Sequence, residues 1–126
     1  MECETQSDLA LGFKEIAAAE KALSELREEI GFYRAILNTL PDLIWLKDPN
    51  GVYLSCNHRC EAFVAASEQE ILGKTDYDLF DTELADFFRE HDRKAMREGI
   101  PLVCEEFITF ANDGHCELLE TTKTPM

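Results

Sequence analysis

The chain has 126 residues, enough for one small domain with an appendage, and 45% of them are apolar, enough for a buried core. Twelve basic residues against 26 acidic ones leave a net charge of −14, which argues against nucleic acid or an anionic membrane surface as a direct partner, because both would repel it. No apolar run reaches the length of a membrane span, no charged-then-apolar leader opens the sequence, and five cysteines (Cys3, Cys56, Cys60, Cys104, Cys116) without a C-x-x-C pair predict reduced, mostly buried thiols in a cytoplasmic setting.

Residues 1–40 carry apolar or small residues at Leu9, Gly12, Ile16, Ala19, Leu23, Leu26, Ile30, Tyr33, Leu37 and Leu40. The steps alternate three and four without a slip, which is a heptad series. Gly12 and Ala19 fill the seam weakly, so Leu23, Leu26 and Ile30 form its strong centre. The spacing predicts a long amphipathic helix, and its unbroken register favours pairing with a second copy as a parallel coiled coil over a lone helix lying on its own domain. Pro41 ends it, because the residue before a proline is pushed out of the α region.

Two short apolar runs, 43–46 and 52–56, then flank Asp48-Pro49-Asn50-Gly51. Proline, asparagine and glycine in that order predict a tight turn between two strands. In the first strand Leu43 and Trp45 share one face, with Ile44 and Leu46 on the other. Asn57 is a good N-cap for the helical run that follows it. Ser67 and Glu70 have capping-box spacing before a single turn closed by Gly73. The stretch 74–80 predicts a short helical turn, with Asp76, Asp78 and Asp81 as solvated acids. Asp81 or Thr82 opens the longest internal helix. Leu84, Phe87, Phe88, His91 and Ala95 are read as its inner stripe, with Arg89, Glu90 and Lys94 off it, and Gly99 as its stop. Two further strands, 102–110 and 115–124, are joined by Asn112-Asp113-Gly114, a strong hairpin signal. The order predicts an α+β fold: antiparallel hairpins with helices on one face.

The turn at 48–51, Asn57, the segment Gly73-Lys74-Thr75-Asp76-Tyr77-Asp78-Leu79-Phe80, and Asp113-Gly114 with the run 120–125 together resemble a PAS domain, the small sensory module of bacterial signalling proteins. The resemblance covers about residues 32–126. It implies five strands, of which four can be counted. Residues 41–126 are then a PAS core lacking its C-terminal strand, preceded by the helix of residues 1–40, in a fragment of a longer protein.

The resemblance further implies a pocket between sheet and helices. Its candidate lining, assigned by face, is Asn57, Phe63, Tyr77, Phe88, His91 and Phe107, with Ile44 and Leu46. A small organic ligand is the expected occupant. Flavin photochemistry of the LOV type would need a cysteine in the segment after Gly73, and none is there. Heme would need an axial histidine. His91 stands where heme-binding relatives carry theirs, but the helix continues only to Gly99, about a turn short of that arrangement. Cys56-x-His58-x-Cys60 lacks a second ligand pair for a metal. Catalysis is not expected: the acidic cluster and His91 show no nucleophile–base pair. The implied function is sensory input to a signalling output domain in the same chain, such as a histidine kinase or diguanylate cyclase. The alternative is a ligand-free dimerisation or spacer module.

Overall fold

The computed structural model describes residues 6–126, so Cys3 lies outside the described residues. They divide into two compact units, one ending at Thr39 and one beginning at Leu40. The first unit is a single helix, α1 (Gln6–Thr39). Its heptad stripe is exposed, with Leu26 52% accessible at its centre. No described helix is long and apolar enough to cross a membrane.

The second unit opens with strands β1 (Trp45–Lys47) and β2 (Tyr53–Cys56), paired antiparallel. Asp48 organises the turn between them: its backbone carbonyl accepts from the Gly51 N–H and its carboxylate from Asn50 and Val52. Gly51 has φ +86°, the left-handed conformation that glycine adopts without strain. A register shift between Leu46 and Lys47 leaves one extra residue on β2. Tyr53 and Cys56, three positions apart, are thereby both buried, which strict alternation would forbid.

Helix α2 (His58–Val64) follows, capped by Asn57 through the Cys60 N–H. The turns α3 (Glu68–Ile71) and α4 (Asp76–Leu79) come next, α3 opened by the Ser67–Glu70 capping box. Helix α5 (Thr82–Glu98) is capped by Asp81 and stopped by left-handed Gly99. Strands β3 (Leu102–Thr109) and β4 (Cys116–Lys123) form the second hairpin. The two hairpins are separate two-stranded sheets.

Two apolar clusters hold the unit together. Tyr53, Cys56, Cys60 and Ile71 form one; Phe63, Phe88, Ile108 and Phe110 form the other; Leu43 and Val64 touch both. Phe63 stacks on Phe80 and meets Phe110 edge-on, giving this core its directional packing. Leu43 and Trp45 face the core as alternation requires, whereas Leu46 is exposed.

Two expectations about faces are corrected. On α5 the inward residues are Ala85, Phe88, Arg89 and Ala95, with Asp92 mostly buried beside them. Phe87 is exposed and Arg89 buried, so the stripe is turned by about one residue. On β3 the buried positions are Glu106 and Ile108; Phe107 between them is 78% accessible, because successive strand residues point to opposite faces. Leu118, opposite Phe107 in the ladder, is exposed as well. Among the thiols, Cys56 and Cys60 are buried, Cys104 is half-buried and Cys116 is exposed.

A buried charge cluster as the candidate functional site

The second unit has a charged interior. Lys47 ends β1 and points inward with Trp45, since the two are one strand period apart. Its ammonium meets Asp76 Oδ2 at 2.6 Å and Asp92 Oδ2 at 3.1 Å. Asp76 sits in the first turn of α4 and is fully buried, not solvated. Its other oxygen accepts from the Tyr53 hydroxyl at 2.8 Å. From α5, Asp92 accepts from Lys47, from Arg89 Nη1 at 3.1 Å and from Lys123 Nζ at 2.7 Å. Lys123, at the end of β4, also donates to the Phe88 carbonyl at 3.1 Å. Arg89 reaches back to the Pro49 carbonyl and lies against Gly51, where any Cβ would stand 2.7 Å from its guanidinium carbon.

Five elements thus converge on one ion network, and α5 holds its hub. Burial alone would push the Asp92 carboxyl up, but the charges of Lys47 and Lys123 outweigh it and hold Asp92 below its ordinary range. Burial and the neighbouring Asp76 carboxylate push the Tyr53 phenol well above its ordinary value, so it stays a neutral donor. The Cys60 thiol is pushed up by its hydrogen bond with Cys56 and by burial, and stays protonated.

One carboxylate stands apart. Glu106 on β3 is 8% accessible; its Oε1 accepts from the Thr121 hydroxyl at 2.7 Å, and no protein group donates to its Oε2. Glu106 borders a cavity of about 10 Å³ with Trp45, Lys47, Tyr53, Phe88 and Lys123. A separate open groove of about 570 Å³ runs between the β1 and β4 segments, lined by Ile44, Leu46, Leu119 and Thr122 among others.

Of the residues assigned by face, the structure brings Phe63 and Phe88 together on the inner cavity. Asn57 is buried but has a structural task. Its side chain accepts from the Ile44 N–H at 3.1 Å and donates to the Asp42 carbonyl at 2.8 Å, tying the entry of β1 to α2. Tyr77 is exposed and donates to Asp86 at 2.6 Å. His91 is half-buried, its Nδ1 donating to the Phe87 carbonyl at 2.8 Å within its own helix. Neither they nor Phe107 border the cavity. Ile44 and Leu46 border the groove instead.

The residues that sequence reasoning missed are the charged ones: Lys47, Asp76, Arg89, Asp92, Glu106 and Lys123. A signal existed for three of them. Asp92 is four positions from Phe88 and three from Ala95, in helical register with both. Glu106 alternates with Ile108, and Lys123 with Thr121. Charge at an inward position is ordinarily read as evidence that the position faces out.

The PAS fold family's sequence profile matches residues 37–126. The aerobic respiration control sensor protein ArcB of Escherichia coli is 26% identical over 133 aligned positions, covering 89% of this chain and 17% of its own length. Among solved structures, the PAS domain of Bordetella pertussis BvgS superposes with a TM-score of 0.61 at 21% identity, over 79% of this chain and 74% of that one. VqmA of Vibrio cholerae, solved bound to DPO, gives 0.64 at 22% identity, over 79% and 48%. The chain spans about a sixth of the length of the sensor protein it matches.

Proposed function

The chain belongs to the PAS fold family, and on that premise we propose that it is the sensory input domain of a larger signal-transduction protein. In this reading it takes up a small molecule in the interior of the second unit and passes the signal through a dimer of α1 to an output domain in the same protein. The buried ion network carries the proposal. Burying ions costs several kcal/mol each before pairing, and well-packed apolar side chains would serve stability at least as well. A module used only as a spacer has no need of three cations and three carboxylates between its sheet and its helices. The similarity to a sensor protein and the fold shared with a protein solved bound to DPO point the same way.

The dimer rests on the exposed heptad stripe of α1. Leu23, Leu26 and Ile30 present apolar surface that a second copy would cover, each contributing roughly 1.5–3 kcal/mol before ordering entropy. We place the family's fifth strand in the groove between β1 and β4, each of which pairs with a neighbouring strand on one side only.

Two measurements on the same preparation test the reading. Light scattering behind size exclusion should give a dimer at tens of micromolar that Leu26→Asp converts to monomer. A thermal-shift screen of metabolites should return at least one compound that stabilises the chain saturably. A dimer with no saturable hit would assign the chain to the ligand-free spacer class, and a monomer unaffected by Leu26→Asp would remove α1 from the account.

A further inference from the structure

We propose that Glu106 is the recognition group for the ligand of this domain, and that the group it receives is a neutral one that both donates and accepts a hydrogen bond, a hydroxyl or an amide. This rests on the sensory role proposed for the domain and narrows its ligand.

Every other buried charge in the second unit has a counter-ion. Asp76 has Lys47, and Asp92 has Lys47, Arg89 and Lys123. Glu106 has one neutral hydroxyl on one oxygen and nothing on the other, although it is 92% buried. A buried acceptor left unmet is among the costlier defects a core can carry, and more so for a charged group. Such a group aimed into a cavity marks a place where a donor arrives.

The walls define the donor. Lys47 and Lys123 border the same cavity, and each spends two of its three N–H groups, on Asp76 and Asp92 and on Asp92 and the Phe88 carbonyl respectively. One N–H remains on each. The cavity therefore has one open acceptor and two ammonium groups at its edge, Lys47 Nζ lying 4.9 Å from the Tyr53 ring centre and Lys123 Nζ 5.5 Å from that of Phe88. With Glu106 counted, the buried side chains of this region carry three cations and three carboxylates. An incoming cation would pair with Glu106 but meet two ammonium groups; an incoming anion would reverse the problem. A neutral hydroxyl or amide gives its hydrogen to Oε2 and accepts from a lysine, leaving the balance intact. At about 10 Å³ the cavity admits one water-sized group, so it is the polar end of the ligand that seats there.

The probes are acetamide, acetone, acetate and ethylammonium, four molecules of similar size that differ in donor and charge. Each is titrated into the 126-residue chain while the Glu106 side-chain carboxyl carbon and the Ile108 methyl groups are followed by NMR. Acetamide should shift these signals saturably. Loss of the donor in acetone should weaken the response about ten- to a hundredfold, and both ions should bind more weakly than acetamide. Glu106→Gln keeps the shape but puts an N–H where the free oxygen stood, and should abolish the acetamide response while the amide spectrum stays dispersed. The comparison among probes uses only the native chain, so it stands even if the variant folds poorly. Equal response to acetamide and acetone, tighter binding of either ion, or a response that survives Glu106→Gln would overturn the assignment. If acetamide gives no saturable shift while the metabolite screen yields a hit, the sensory role stands and this assignment of its chemistry falls.

Discussion

Asp92→Asn isolates the charge of the network's hub with almost no change of shape. The side chain is 12% accessible and its two oxygens serve three cations at 2.7–3.1 Å. The amide keeps one acceptor but leaves Lys47, Arg89 and Lys123 with Asp76 as their one paired carboxylate instead of two. Removing one partner from a buried ion network costs about 3–5 kcal/mol. The remaining exposure and the surviving acceptor place Asp92→Asn near the lower end, about 3 kcal/mol, a large share of the 5–15 kcal/mol typical of a folded domain. With a urea slope of about 1–3 kcal/mol per molar, the unfolding midpoint at pH 7 should fall by about 1–3 M. The pH dependence carries a second signature. The Asp92 carboxyl lies below its ordinary value of 3.8 in the folded chain. As pH falls, the unfolded chain takes the proton first, so the stabilisation is complete above about pH 5 and is lost as pH drops through the folded value. The gap between native and Asp92→Asn melts should therefore stay constant from pH 7 to 5 and narrow below 4. A midpoint change under about 0.3 M at pH 7, or a gap that does not narrow in acid, would refute the idea that three buried cations depend on this carboxylate.

Gly51→Ala should destabilise the second unit by about 1–3 kcal/mol, seen as a lower calorimetric Tm, because φ is +86° and the new Cβ would displace the Arg89 guanidinium. His115, hydrogen-bonded to Asp113 and to Glu117, is held above its ordinary 6.5; an NMR titration should show this, with a fall toward 6.5 in Asp113→Asn. The sign follows: its stabilisation is present below about pH 6.5 and is lost as pH rises through the folded value. On the proposal that a fifth strand seats in the groove between β1 and β4, adding a turn and strand of about a dozen residues should raise the urea midpoint and reduce association; equal midpoints would mean that the groove is not a strand seat.

Local chemistry was legible from the sequence wherever one residue and its neighbours decide the outcome. The turn at 48–51, the Asn57 and Asp81 caps, the Ser67–Glu70 box and the stops at Gly73 and Gly99 depend on backbone preferences and short hydrogen bonds. Alternation and the helical period likewise sorted residues into faces. What they cannot do is choose between two faces that are both partly apolar. Phe107 is more apolar than Glu106, yet Glu106 faces in, because Ile108 and Phe110 on its own face complete the Phe63 cluster and Thr121 stands across the hairpin to hold its carboxylate. His91 and Asp92 are neighbours on α5, and Asp92 turns inward because Lys47 and Lys123 arrive there from two different hairpins. The buried charges of Lys47, Asp76, Asp92 and Lys123 are tolerable only once partners 29 to 45 residues away have been brought within 3.1 Å. Their pairing energy is a property of the assembled fold, and no single stretch of the chain contains it.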